Sequence, residues 1–288
     1  MTMADDNRTI NVNGETATFG IIGNPVHHSL SPEMHNAAFH ALGLNNIYVP
    51  LPTTHLRDAV AGLRALGFRG ASVTIPYKED ILPLVDHVDP VAARIGAVNT
   101  LVIKQQTDGR SPAISGYNTD WIGANRALAE KLELKGSRVL IIGAGGAARA
   151  IGFGLKEAGA EVMVTNRTVE KGERLAGRLD CRFYRLEELG LLKADALVNA
   201  TSVGMTPAPE NTPVQKEFLH NFAAVMDIVY APVTTRLLQE AAASGCRVVD
   251  GLAMLLYQGA SQFELWTGRP APVGVMRDIL AKRLKTIK

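Results

Sequence analysis

The 288-residue chain has only two cysteines, Cys181 and Cys246. They lie far apart in sequence and neither belongs to a close Cys/His pair. That argues against a disulfide scaffold or a zinc site, and a reducing cytoplasm fits. Long apolar runs are missing as well. No uncharged stretch of about 18 apolar residues occurs, so no segment reads as a membrane span. The polar N-terminus, through Thr18, lacks the apolar core of a signal peptide. Charge of one sign is also scarce. There are 30 basic and 28 acidic residues, a formal net charge of +2, and no run of five or six like charges. Nothing electrostatic therefore points to nucleic acid or a membrane surface as the main partner. His27, His28 and His35 have no acidic or cysteine partner at ligand spacing, so no metal is expected. Apolar residues are plentiful: 47% are hydrophobic and 20% charged. That composition supports a packed core and is unlike that of a disordered chain.

The most informative stretch begins at Val139-Leu140-Ile141-Ile142, an apolar, partly β-branched run that reads as a buried strand. Gly143-Ala144-Gly145-Gly146-Ala147 follows and leads into a small-residue helix. Gly143 permits the tight turn and Gly145 lets a ligand approach the backbone. Ala148 keeps helix and strand close. A glycine-rich loop between a strand and a helix presents free N–H groups and a positive dipole end to a pyrophosphate. The alternative is a purely structural turn.

Strand and helix patterns alternate along the chain, which predicts an α/β fold with a largely parallel sheet. Residues 1–17 read as a loose extension. Strands are expected at residues 19–23, 47–51, 70–76 and 97–103. Residues 105–112 form a hairpin tip, and 114–118 return. Ser31 is the expected cap and Pro32 the first helical residue of the first helix. Further helices are expected at residues 56–66 and from Tyr77. Thr119-Asp120 caps another, running to about Leu132. Residues 136–250 alternate as in a doubly wound nucleotide-binding domain, and two C-terminal helices fold back on the first domain. The expected division is therefore 1–119, 120–250 and 251–288.

The second strand of the nucleotide unit ends in Thr165-Asn166-Arg167-Thr168, with no acid where an NAD site usually carries one for the ribose hydroxyls. Arg167 can meet a 2′-phosphate or stack on adenine. Asn166 and Thr168 can donate hydrogen bonds, and Lys171 adds charge. This predicts NADP, against the plainer reading of a solvated basic turn. Hydride chemistry at a carbinol carbon needs a proton partner on the oxygen. Lys78, placed in a first helical turn where the dipole disfavours a cation, and Asp120, at another helix start, are the expected pair. Alternatively, they are an exposed lysine and an ordinary cap. Ser29 and Ser31 flank Leu30, so alternation in an extended loop aims both hydroxyls one way, as a carboxylate clamp requires. Helix caps are the simpler reading. Asn99 in an apolar strand needs partners. Gln258, one turn after Met254, is otherwise a surface residue.

These residues together are similar to the shikimate dehydrogenase family. The resemblance runs from Phe19 to about Thr267. It is carried by Gly23-Asn24-Pro25, His28-Ser29-Leu30-Ser31-Pro32, Val73-Thr74-Ile75-Pro76-Tyr77-Lys78, Gly96-Ala97-Val98-Asn99-Thr100 and Gly116-Tyr117-Asn118-Thr119-Asp120. The glycine loop, Asn166-Arg167-Thr168, Asn199-Ala200-Thr201-Ser202-Val203-Gly204-Met205, Asp227-Ile228-Val229-Tyr230, and Asp250-Gly251-Leu252 with Met254-Leu255 and Gln258 complete it. The resemblance implies an N-terminal α/β substrate domain joined to a Rossmann-type NADP domain. It also implies NADPH-dependent reduction of 3-dehydroshikimate to shikimate, on the route to chorismate and the aromatic amino acids. By this analogy Ser29 and Ser31 hold the substrate carboxylate, while Lys78 and Asp120 handle the proton and ring hydroxyls. Thr74, Asn99, Tyr230 and Gln258 complete the substrate pocket. Gly143 to Ala147, Asn166, Arg167, Thr168 and Lys171 bind cofactor, with Thr201, Ile228, Gly251 and Met254 at the nicotinamide end. The cleft is expected to close about hinges near Asp120 and Gly251. A cytoplasmic monomer or homodimer is expected. Ser72 departs from the asparagine common in the family, which touches the choice between shikimate and quinate. The alternatives are a quinate/shikimate dehydrogenase with broader substrate or NAD use, and a non-catalytic ligand-binding relative.

Overall fold

The computed structural model describes residues 12–106 and 111–286. Part of the expected hairpin tip and most of the N-terminal extension lie outside the described residues. In chain order the first half holds β1 (Ala17–Gly23), α1 (Ser31–Ala41), β2 (Asn46–Pro52), α2 (Leu56–Ala65), β3 (Gly70–Val73), β4 (His87–Val88), α3 (Pro90–Ile95), β5 (Thr100–Lys104) and β6 (Ala113–Tyr117). The second half begins with α4 (Asp120–Ala129), β7 (Arg138–Ile142), α5 (Gly146–Glu157), β8 (Glu161–Thr165), α6 (Val169–Leu179) and β9 (Arg182–Tyr184). It continues through β10 (Ala194–Asn199), β11 (Phe222–Asp227), α7 (Arg236–Ala243) and β12 (Arg247–Val249) to α8 (Gly251–Thr267) and α9 (Val273–Thr286).

The strands form two six-stranded sheets, ordered β2-β1-β3-β5-β6-β4 and β12-β11-β10-β7-β8-β9. The second sheet is parallel throughout and doubly wound. Its central strands β7 and β10 are buried on both faces, which is why Val139 to Ile142 form an unbroken apolar run. The first sheet is mixed, because β5 runs antiparallel to both β3 and β6. A short hairpin between β5 and β6 leaves no room for the helical crossover that a parallel pair needs.

Three local expectations are corrected. β1 starts at Ala17, because Asn45 accepts the Ala17 N–H and bonds Asn13 and Thr16, pinning the approach to the strand. Ser31 is not the cap of α1 but its first residue; Leu30 takes the cap position, and no side chain caps it. No helix opens at Tyr77. One α-turn closes, with Ile81 N–H donating to the Tyr77 carbonyl, and a three-residue 3₁₀ turn, Leu82–Leu84, follows. Pro83 lacks the N–H that would carry an α-helix onward. The dipole argument for Lys78 therefore has no basis.

α8 and α9 return to the first sheet. Leu252, Leu256, Phe263, Met276 and Leu280 share one core with Phe19, Met34 and Phe39. α8 also packs on α4 so closely that Gly123 has no space for a side chain. A smaller apolar cluster, Ile95, Ala97, Ala150 and Phe153, joins α3 and its following loop to α5. These contacts set the two sheets around a shared cleft.

Candidate active site

The ion pair of Lys78 with Asp120 lies at the centre. Lys78 Nζ donates to Asp120 Oδ2 at 2.6 Å, and the carboxylate is almost fully buried while the amine stays partly open. The fold fixes both ends. The Lys78 carbonyl accepts the Val98 N–H at 2.7 Å, so the lysine turn is tied to the start of β5. Asp120 opens α4, and its backbone N–H donates to Asn118 Oδ1 at 3.0 Å. Asn118 in turn donates to the Ala97 carbonyl.

Asn99 completes this group. It is 2% exposed. Its Nδ2 donates to Asp120 Oδ1 (2.8 Å), to Thr119 Oγ1 (3.0 Å) and to Gln258 Oε1 (3.3 Å). Its Oδ1 accepts the Thr119 N–H at 2.8 Å and the Thr100 hydroxyl at 2.7 Å. Gln258 is buried on α8, not on the surface. So Lys78, Asp120, Asn99 and Gln258, spread over 181 residues of sequence, form one connected set.

The serines come together by a different route from the one expected. Residues 26–30 turn instead of extending, with the Ser29 N–H donating to the Val26 carbonyl. Ser29 Oγ accepts the Ser31 N–H at 3.3 Å, and Ser31 lies 4% exposed beside the Tyr48 phenol. Because Ser31 does not cap α1, its hydroxyl is not used by the helix. Tyr230, in the segment after β11, packs on the same core, and burial pushes its hydroxyl up from the ordinary tyrosine range. Thr74 follows β3, where its N–H donates to the Ile22 carbonyl. His35 is part of the core: its ring stacks on Tyr48 at 4.7 Å, and burial lowers its pKa to about 3. Among the described residues no group of three or more His, Cys, Asp or Glu is placed to hold a metal ion.

Across the cleft, the glycine loop leaves β7 as Asn166-Arg167-Thr168 leaves β8 alongside it. Ile142 pairs with Thr165, and the Gly143 N–H donates to the Thr165 carbonyl at 2.9 Å. Gly143 has φ +120°, and a Cβ there would lie 3.0 Å from the Ala200 carbonyl oxygen and from Thr201 Cγ2. Only glycine suits that conformation and that approach. Around Gly145, by contrast, there is open space for at least 4 Å. Gly145 is the N-cap of α5 and supplies no side chain to the first N–H groups. An open cradle of backbone donors beside exposed Arg167 and Lys171 fits a phosphorylated dinucleotide. Ala144 to Ala147 line this cradle, and Asn166 Nδ2 holds the turn by donating to the Thr168 carbonyl at 2.7 Å. Thr201 adjoins Gly143, and its hydroxyl donates to Asn199 Oδ1. Ile228 lies against Gly251, whose Cβ position is 2.5 Å from the Ile228 carbonyl oxygen, and Met254 is buried one turn further along α8.

Several groups at the site escaped the sequence reading. Arg149, one turn into α5, ion-pairs with Glu79, the neighbour of Lys78, and so ties the cofactor-side helix to the lysine turn. Tyr48 and Gln262 lie behind Asn99. Gln262 follows Gln258 by four residues, so helical periodicity alone places both on one face. Asp227 at the end of β11 is fully buried and accepts from Thr235, Asn199 and the Val229 N–H. Burial raises its carboxyl to about 6, against the pull of those bonds.

Comparison with known proteins bears on this arrangement. Residues 21–101 match the shikimate dehydrogenase substrate binding domain, 125–225 the shikimate / quinate 5-dehydrogenase model, and 251–280 the shikimate 5′-dehydrogenase C-terminal domain. The NADP(+) shikimate dehydrogenase of Moorella thermoacetica is 47% identical over 289 residues, 96% of each chain. The chain belongs to the shikimate dehydrogenase family. Shikimate dehydrogenase from Thermus thermophilus, solved with NADP(H) and shikimate, is 42% identical and superposes with a TM-score of 0.83. The match covers 92% of this chain and 99% of that one. The family also reaches quinate dehydrogenase from Corynebacterium glutamicum, solved with NAD, at 30% identity and a TM-score of 0.83. That match covers 93% of this chain and 99% of the other.

Proposed function

We propose that this protein catalyses the NADP(H)-dependent interconversion of 3-dehydroshikimate and shikimate. The observation that carries the reading is the 2.6 Å contact of Lys78 Nζ with Asp120 Oδ2, built into the cleft beside an uncapped glycine loop. Among the described residues, those up to 119 and from 251 onward form the substrate side and 120–250 the cofactor side. NADPH, when bound, supplies the hydride.

The chain's own residues do the rest. Lys78 Nζ gives a proton to the oxygen of the carbonyl being reduced and takes it back in the reverse direction. Asp120 holds that amine in place and accepts from the adjacent ring hydroxyl. Asn99 and Gln258 orient Asp120 and the hydroxyls. Ser29 and Ser31 bind the carboxylate, with Thr74 and Tyr230 closing the pocket. The backbone of Gly143 to Ala147 takes the pyrophosphate. Asn166, Arg167, Thr168 and Lys171 select the 2′-phosphate, because no acid stands at the end of β8 to claim free ribose hydroxyls. Thr201, Ile228, Gly251 and Met254 bound the nicotinamide end. No helix among the described residues is long and apolar enough to cross a membrane; a cytoplasmic setting suits the soluble substrate and cofactor.

The second reading, quinate with NAD, is raised by the family's breadth and by serine at position 72. A spectrophotometric panel of shikimate and quinate against NADP⁺ and NAD⁺ tests both. Shikimate with NADP⁺ is expected to give the highest kcat/KM; quinate with NAD⁺ as the best pair overturns the proposal.

A further inference from the structure

Behind the substrate pocket runs a chain of buried hydrogen bonds whose direction is fixed. Asp120, ion-paired to Lys78, accepts from Asn99, so the Asn99 amide turns its N–H groups towards the carboxylate. Its Oδ1 is held on the other side by the backbone N–H of Thr119, a donor that cannot reverse. Thr100 Oγ1, 2.7 Å from that same oxygen, must therefore donate its single proton to it. Thr100 can then only accept from its other neighbours, Gln262 Nε2 at 2.9 Å and the Thr119 hydroxyl at 3.4 Å. The same Nε2 donates to the Asn99 carbonyl at 3.1 Å. Gln262 Oε1 thus faces the other way and accepts the Ser72 hydroxyl at 2.9 Å, and Ser72 accepts from Tyr48 at 2.6 Å. Every member is buried: Gln262 and Tyr48 are 1% exposed and Thr100 is not exposed at all. The backbone groups at its two ends, the Thr119 N–H and the Asn99 carbonyl, cannot reverse, so the chain has one stable polarity.

We propose that Gln262 is a positioning residue for the reaction: from α8 it fixes Asn99 and Thr100 so that Asn99 presents its donors to Asp120, with Ser72 and Tyr48 holding Gln262 from behind. The inference rests on the proposed dehydrogenase function. It also gives Ser72 a defined role. Its short side chain spans Tyr48 and Gln262, where the longer amide of asparagine would meet both.

The mechanism of the effect is local. With Gln262→Met, the volume is nearly kept but both donors vanish. Thr100 Oγ1 loses its nearer donor and Ser72 its acceptor, and the Asn99 carbonyl loses one of its two donors. The Asn99 side chain keeps Thr119 and Thr100 on its oxygen, but Thr100 is no longer fixed from α8. Adding Ser72→Ala removes the hydroxyl stranded behind position 262 without restoring the link to Asn99, and the Tyr48 hydroxyl keeps its partner Ser31.

The experiment measures Tm, NADP⁺ affinity and kcat for shikimate oxidation, with kcat normalised to sites that bind NADPH. Gln262→Met is expected to lower Tm and to lower kcat about tenfold or more, with NADP⁺ Kd within twofold of the parent. Ser72→Ala/Gln262→Met is expected to regain Tm while kcat stays low. Recovery of kcat together with Tm in the double variant overturns the proposal and leaves Gln262 a packing residue; so does a single variant with normal kcat. If the parent protein itself fails to oxidise shikimate with NADP⁺, it is the functional reading that falls.

Discussion

Gly123→Ala puts a methyl group into the tightest helix contact at the cleft. The Cβ position at residue 123 lies 2.7 Å from the Met254 carbonyl oxygen, 2.8 Å from Gln258 Cβ and 2.9 Å from Gln258 N. Two of these are backbone atoms of α8, which cannot rotate away, so α4 and α8 must separate by roughly 0.7 Å to reach ordinary contact. Overpacking of this kind costs about 1–3 kcal/mol. Alanine in place of a helical glycine returns about 1 kcal/mol. The net expectation is a loss of up to about 2 kcal/mol, or a fall in Tm of up to roughly 8 °C for a chain of this size. Activity should suffer more than stability, because the displaced residue is Gln258. Its Oε1 already stands 3.3 Å from Asn99 Nδ2, and any retreat of α8 breaks that bond. Scanning calorimetry and steady-state kinetics on the same preparation test both halves. A Tm equal to or above that of the parent, with unchanged KM for shikimate, would refute the reasoning, since helix propensity would then outweigh the contact.

Other expectations follow from single residues. Lys78→Ala lowers kcat by ~10²–10⁴-fold while NADP⁺ binding is kept, as measured by turnover and nucleotide titration; near-normal turnover removes its proton role. Arg167→Ala, at an exposed position, weakens NADPH at least tenfold more than NADH in fluorescence titrations. Equal losses for both nucleotides would rule out a 2′-phosphate contact. Asp227, raised to about 6 by burial, binds its proton more tightly in the folded chain than in the unfolded one. Its contribution to stability is full below about pH 4 and is lost as pH rises through about 6, on the order of 3 kcal/mol. Asp227→Asn should therefore flatten the decline in stability between pH 4 and 7 in denaturant titrations; an unchanged slope would show that the carboxyl is not perturbed in this way.

The cofactor half was the more legible in sequence. The run from Val139 to Ile142 and the strand end at Thr165 were read where the structure places them, because a strand buried on both faces is an unbroken apolar run. The substrate half was read less well. Lys78 was placed in a helix that Pro83 prevents, and Ser31 was taken for a cap that Leu30 provides. What holds the Lys78 turn is a distant segment, since the Val98 N–H donates to its carbonyl, and no local pattern records that. The same holds for Gln258, which looked like a surface residue because its partner, Asn99, is 159 positions away.

The sequence by itself determined the α/β pattern, the glycine loop and the absence of an acid after β8, since each depends on neighbours within a few residues. Tertiary structure alone decided that Asp120 meets Lys78, that Asn99 points its amide towards them, and that Gln262 and Ser72 stand behind it. A buried polar group must find partners wherever the fold brings them, and no local period records which ones those are.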